Sequence, residues 1–154
     1  MRVSPRAGLF AVAVFVMLLF FAVPSSQASA ASPSTAMVQE INKARQAHGL
    51  APVRRSGSLR RTASRYAGWM LKRDYFGHLT RIRASRRFRR LGEIIAMHRG
   101  RRLGIRSTVR RWLNSPPHRA VILSSRFRYA GAGTRKGRFG RHTSRTWVMH
   151  FGSR

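Results

Sequence analysis

Chemistry in this chain rests on very few residue types. Cysteine is absent, which excludes thiol nucleophiles, iron–sulfur clusters and cysteine-held structural zinc. The carboxylates are only Glu40, Asp74 and Glu93. Six histidines (His48, His78, His98, His118, His142 and His150) supply imidazoles, which serve as bases or metal ligands near neutral pH. No serine lies in a recognisable nucleophile motif, and no local zinc motif of the H-E-x-x-H kind is present. What abounds is arginine. The chain carries 32 Lys and Arg against 3 acids, a net charge of +29. A basic run starts at Arg81, Arg83, Arg86, Arg87, Arg89 and Arg90 and continues through Arg99, Arg101, Arg102, Arg106, Arg110 and Arg111. Charge runs are ordinarily solvated faces, and a compositional bias alone would give the same excess of arginine. The length of this run and the scarcity of acids make polyanion contact plausible. Guanidinium groups match phosphate and carboxylate in bidentate geometry, and such binding weakens steeply with salt. The first six of these residues, with Arg101 and Arg102, are therefore candidates for holding an anionic ligand. Phe88 and Leu91, interleaved with them, would let the segment lie on an anionic bilayer.

These residues need a scaffold, and the amino terminus indicates where it folds. Arg2 and Arg6 precede an unbroken apolar run from Leu9 to Val23, then Pro24, a polar Ser25-Ser26-Gln27 and the small-residue pattern Ala28-Ser29-Ala30. Residues 1–30 read as an export signal cleaved after Ala30; an uncleaved anchor is the rival reading. The remainder, Ala31 to Arg154, loses two arginines and keeps a charge of +27. It is large enough to bury a core without disulfides. An exported protein this basic meets wall polymers, anionic lipids, acidic polysaccharide and released DNA.

After a linker over 31–34, Thr35 is expected to cap a first helix with Met37, Val38, Ile41 and Ala44 on one face, closed by Gly49. Ser58 is expected to open a second helix. Leu59, Ala63, Tyr66, Ala67, Met70 and Leu71 fall at offsets 0, +4, +7, +8, +11 and +12, an amphipathic stripe. Residues 81–106 are dense in arginine, with one apolar stretch from Leu91 to Met97. Val109, Trp112 and Leu113 suggest a third helix ending near Asn114. Ser115-Pro116-Pro117 restarts a short one through Leu123, with proline where its missing N–H does no harm. Tyr129 to Thr134 and Thr146 to Phe151 read as strands of a hairpin turning near Gly137 and Gly140, with Trp147, Met149 and Phe151 on one face. Trp69, Trp112 and Trp147 are expected in the core. His48 is expected to cap a helix end, His98 and His142 to lie in surface loops, and His150 to face solvent. Helices first and antiparallel strands last give an α+β layout.

Six segments in this order resemble the cysteine-free bacterial branch of the CAP superfamily (cysteine-rich secretory protein, antigen 5 and PR-1; SCP-like). Ile41-Asn42-Lys43-Ala44-Arg45 through Gly49-Leu50-Ala51-Pro52 is similar to its N-x-x-R…G-L-x-P/x-L opening. Leu59 to Met70 resembles its L-x-x-x-A-x-x-x-A-x-x-M helix, and Phe76-Gly77-His78 its F-x-H step. Gly92-Glu93-Ile94-Ile95-Ala96 resembles G-E-N-I-A, with Ile94 in place of the asparagine. Trp112 to Arg119, followed by Ile122-Leu123, resembles W-M-x-S-P-G-H-R…I-L. Gly131-Ala132-Gly133 and Trp147 to Gly152 fit its closing strands.

The resemblance implies an α-β-α sandwich with helices packed around a small antiparallel sheet, over residues 35–154. It implies a cleft that the family lines with two histidines and two glutamates, sometimes seen with a divalent metal. His78, Glu93 and His118 match three of the four; no acid occupies the fourth place. Three groups of that kind would suffice for zinc with an open position. A charge of +27 opposes a cation, and the bland alternative is a structural polar core in which Glu93 orients both histidines. No cofactor is required, and zinc is the one candidate. The expected function is a non-catalytic extracellular or envelope binding domain, monomeric, for a lipid-like or anionic ligand. Envelope polymers or lipids are the expected partners and nucleic acid an incidental one. The alternatives are a metal-assisted hydrolase using His78, Glu93 and His118, and a cationic antimicrobial or polyanion-binding protein.

Overall fold

The computed structural model describes residues 31–84, 86–100 and 104–154. Residues 1–30, read from the sequence as an expected export signal, and Arg101 and Arg102 lie outside the described residues. Helix α1 (Pro33–Ala47) leads through strand β1 (Arg54–Arg55) to helix α2 (Gly57–Lys72). Strand β2 (Arg90–Arg99) and helices α3 (Ile105–Leu113) and α4 (Pro116–Ile122) follow, then strands β3 (Tyr129–Phe139) and β4 (His142–Ser153). Among the described residues no helix is long and apolar enough to cross a membrane.

Local chemistry accounts for the boundaries. The Ser32 hydroxyl accepts from the N–H of Thr35, so Ser32 rather than Thr35 caps α1, and Ser34 belongs to the helix instead of a linker. Ser56 rather than Ser58 caps α2, accepting from Leu59 N–H. The α3–α4 break falls where the Ser-Pro-Pro signal put it, between Asn114 and Pro116. The apolar stretch 91–97 is the middle of β2, a ten-residue strand. β3 and β4 close a two-residue turn at Gly140 and Arg141, with Gly140 at φ +56°.

The sheet order is β1-β3-β4-β2. It is antiparallel except at its edge, where Arg54 and Arg55 pair in parallel with Tyr129 and Ala130. The expected antiparallel sheet is thus a mixed one, because the chain crosses from α1 to α2 along an edge that β3 later joins. α1, α3 and α4 cover one face and α2 the other, an α-β-α sandwich. Trp147, Met149 and Phe151 point into the first core, with Met37, Ile41, Ile94 and Trp112. Val148 points into the second, with Ala63, Tyr66, Ala67 and Met70. α2 sits directly on β3: a Cβ at Gly131 would strike the backbone of Leu59 and Arg60, and at Gly133 that of Ala63 and Ser64. Arg45 is 1% exposed yet pairs with no carboxylate. Its guanidinium donates to the carbonyls of Ala51 (3.0 Å), Ile122 (2.6 Å) and Ser124 (2.9 Å), pinning the loops after α1 and α4.

Candidate functional site

The α2 face of the sheet positions the site. Pleating puts Thr146, Val148 and His150 of β4 on this side, and the β2–β4 register sets Glu93 directly opposite His150. Glu93's side chain is only 5% exposed. Its Oε2 accepts from His150 Nε2 at 2.9 Å, and its Oε1 accepts from His78 Nδ1 at 3.0 Å and from the Leu79 N–H at 2.9 Å. His150 is fully buried, and its Nδ1 lies 2.8 Å from the Thr62 hydroxyl on α2. Burial is the largest influence on Glu93 and pushes its carboxyl upward. The His150 hydrogen bond, the Leu79 N–H, the His150 charge and the His78 hydrogen bond together outweigh it, so the group ends below its ordinary value.

Two expectations are corrected here. His150 is not exposed: it faces away from Trp147 and Phe151, but α2 covers that face as fully as the other helices cover theirs. The partner that shares Glu93 with His78 is His150 rather than His118. His118 Nδ1 contacts Ser115 Oγ at 2.9 Å, and its ring stands 6.3 Å from the His78 ring, so the two imidazoles are neighbours that do not share the carboxylate. Burial first, then the His78 charge, lowers the His118 pKa. The sequence held a usable signal for His150, since a histidine on the α2 side of a strand between two cores needs a buried acceptor and Glu93 is the only acid on the neighbouring strand.

The donor set decides what these groups can hold. Glu93 already accepts three hydrogen bonds from the protein, two at Oε1 and one at Oε2. Among the described residues no group of three His, Asp or Glu is placed to hold a metal ion. The residues present therefore do not fit a three-ligand zinc centre, and no chemical step is derived through one. What the geometry does provide is a carboxylate that fixes the orientation of the His78 ring, as second-shell carboxylates do.

Beside His78 lies a cavity of about 490 Å³. Its wall comes from one stripe of α2, Thr62, Arg65, Tyr66 and Trp69, at offsets 0, +3, +4 and +7. The loop after α2 supplies Tyr75, His78, Leu79, Thr80, Arg81 and Arg83. Tyr66 and Trp69 stack at 5.7 Å, and Tyr75 meets Trp69 edge-on at 5.5 Å. The Tyr66 hydroxyl donates to Gly77 O at 2.6 Å, and the Leu79 N–H bond to Glu93 ties the loop again two residues on. Burial first, then the charge of Glu93 and Tyr75, pushes the Tyr66 phenol up to about 12, so it stays a donor.

The remaining expectations fall as follows. Trp112 and Trp147 are core residues, each 2% exposed, but Trp69 is 45% exposed because it lies off the buried stripe of α2. Tyr75 and Phe76 are exposed beside it. His98 is buried on β2, its Nε2 3.0 Å from Thr108 Oγ1 of α3, not in a surface loop. His48 closes α1, with Nδ1 2.8 Å from Ala44 O. The basic run divides: Arg81 and Arg83 line the cavity, whereas Arg86, Arg87, Arg89 and Arg90 lie exposed at the approach to β2. Phe88 between them is buried against Tyr129 and Gly152, so it offers nothing to a bilayer.

Comparison with protein families matches residues 38–151 to the cysteine-rich secretory protein family, CAP. Sequence comparison with curated proteins gives no match. Among solved structures, an outer surface protein of Borrelia burgdorferi superposes with a TM-score of 0.62 at 20% identity, over 77% of this chain and 90% of its own. An extracellular protein of Bacillus anthracis that contains an SCP domain gives 0.58 at 20%, over 79% of this chain and 40% of its own. The venom allergen-like protein 4 of Schistosoma mansoni gives 0.63 at 14%, over 80% and 91%.

Proposed function

The chain belongs to the cysteine-rich secretory protein family, and from that premise we propose that it is a non-catalytic binding domain, exported to the envelope or beyond, that holds an anionic amphiphile. The observation that carries this reading is the cavity beside His78. Its volume lies within the range of about 300–1,000 Å³ usual for small-molecule pockets, and such pockets combine an apolar wall with a few convergent polar groups. Here the wall is Tyr66, Trp69 and Tyr75, and the polar groups are Arg65, Arg81, Arg83 and His78. An alkyl or ring portion against the aromatics places an acidic head within reach of three guanidiniums, which match phosphate or carboxylate. Export is supported by the amino-terminal signal pattern and agrees with the outer surface and extracellular descriptions of the two bacterial neighbours in structure. Catalysis receives no comparable support, since cysteine is absent and no serine lies in a recognisable nucleophile motif.

The three tryptophans make the test direct, because only Trp69 is accessible. Dodecyl phosphate, below its micellar concentration, is expected to shift and quench tryptophan emission, and an uncharged alkyl glycoside of equal chain length to do so far more weakly. Trp69→Phe is expected to abolish the signal, and Arg81→Gln with Arg83→Gln to weaken the phosphate ligand alone. No emission change in the unaltered protein would refute the cavity as the site. Equal response to the uncharged analogue would refute the anionic head.

A further inference from the structure

A second concave surface shares no lining residue with the cavity beside His78. It is a groove of about 800 Å³ between α1 and the β1 edge of the sheet. Four guanidiniums wall it: Arg54 and Arg55 of β1, Arg128 just before β3, and Arg154. All four residues are exposed, and no ion pair reaches them among the described residues. The chain's acidic side chains are engaged elsewhere. Of its three acids, Glu40 pairs with Lys43 and Arg106, Glu93 with His78 and His150, and Asp74 accepts from the Gly140 N–H. The crowding of positive charge reaches inward as well, for Arg128 adds to burial in lowering the Arg45 pKa.

The groove is also held in shape. Asn42 bonds Val53 twice, its amide donating to the carbonyl at 3.0 Å and its oxygen accepting from the N–H at 2.9 Å. Arg55 is anchored on Thr35 Oγ1 at 2.8 Å, and Arg154 lies over the Tyr129 ring at 4.8 Å. Fixed guanidiniums lose less freedom on meeting an anion than mobile ones.

We propose that this groove binds a linear chain of phosphate groups, separately from the amphiphile cavity. Four cations in one trough call for several negative charges in a row, and the guanidinium fork matches phosphate oxygens in pairs. A nucleic acid strand fits less well, because strand-binding grooves offer aromatic faces for bases. The one aromatic ring here, Tyr129, is taken by Arg154 and by the edge contact with Phe88 at 5.7 Å.

The test titrates the protein with linear tripolyphosphate by calorimetry at several salt concentrations. The variant R54Q/R55Q/R128Q/R154Q is compared with R61Q/R73Q/R110Q/R141Q, which removes four exposed arginines elsewhere and carries the same net charge. The groove variant is expected to lose at least about tenfold in affinity. Its affinity should also depend less steeply on salt, while the control keeps most of both. Equal losses in the two variants would overturn the proposal, since binding would then follow net charge alone. Absence of binding by the unaltered protein at low salt would overturn it too. In the unaltered protein, tripolyphosphate should shift the amide resonances of Gln39, Asn42 and Tyr129 and leave Trp69 emission unchanged. Shifts confined to the His78 cavity would assign the anion there and refute the groove.

Discussion

Replacing Glu93 by alanine tests the central arrangement most sharply. Three donors lose their acceptor: His150 Nε2, the Leu79 N–H and His78 Nδ1. They are not equivalent. The His78 side chain is 56% exposed and rehydrates, so its loss costs at most about 1 kcal/mol after solvent screening. His150 is 0% exposed and Leu79 N–H is part-buried, and a buried donor left unpaired costs about 1–3 kcal/mol. Together the two make a loss of about 2–6 kcal/mol, partly offset because a buried carboxylate no longer has to be desolvated. In a domain of this size each kcal/mol lowers Tm by about 3–5 °C, so Glu93→Ala is expected to melt roughly 10 °C below the unaltered protein. His78→Ala should shift it by no more than about 5 °C on the same scale. Thermal melting at pH 7 by circular dichroism reads both. If the two variants melt within a degree or two of each other, His150 and Leu79 have other partners and the clamp carries no stability. The Leu79 bond also ties the cavity loop, so Glu93→Ala should weaken dodecyl phosphate binding although Glu93 does not line the cavity.

Acidification should destabilise the domain in two stages. His98, lowered by burial and then by Arg111, and His118, lowered by burial and then by His78, take up a proton more readily when unfolded. Their contribution is complete above their unfolded pKa near 6.5 and is lost as pH falls through the lower folded values; a Tm flat from pH 7 to pH 5 would contradict this. Glu93 acts with the same sign below 4.5, where protonation removes an acceptor. Gly133→Ala should cost about 3 kcal/mol or prevent folding, because its methyl meets the α2 backbone at Ala63 and Ser64 rather than a side chain that can move; urea unfolding measures it. Arg45→Met strands the carbonyls of Ala51, Ile122 and Ser124 and should cost about 3 kcal/mol or more by the same assay. Zinc added in equimolar amount should leave Tm within about a degree, since two imidazoles are two ligands short of the usual tetrahedral set.

The elements that announce themselves through periodicity or capping were readable in the chain. The α2 stripe 59/63/66/67/70, the Ser-Pro-Pro restart and the alternation from Trp147 to Phe151 each reflect a local rule that tertiary packing reinforced. β2 was only half visible, because its flanking arginines hid a strand whose centre alone is apolar. The pairing of Arg54 and Arg55 with Tyr129 and Ala130 had no local signal at all, being two residues joined to a strand far along the chain. His78 and Glu93 were legible through motif order, but which second histidine reaches the carboxylate depends on cross-strand register. A single-residue slip would have turned His150 to the other core. The expectation that His150 faces solvent failed because it treated the sheet as having one buried face, and this sheet has two.

The scarcity of acids shapes what the surface can recognise. Each of the three is engaged by groups of the chain itself, so the outward field is positive almost everywhere and attracts any anion without discrimination. Discrimination must then come from what accompanies the arginines. Beside His78 they stand next to a stacked aromatic wall, which rewards an apolar substituent on the anion. Along the β1 edge they stand next to one another, which rewards repeated charge. The two surfaces share no lining residue. If both proposals hold, the protein would bind an amphiphile and a polyphosphate chain at once. The decisive observation is whether saturating tripolyphosphate leaves dodecyl phosphate affinity unchanged apart from the ordinary effect of added salt. Mutual exclusion beyond that effect would mean that the two anions compete for a single site.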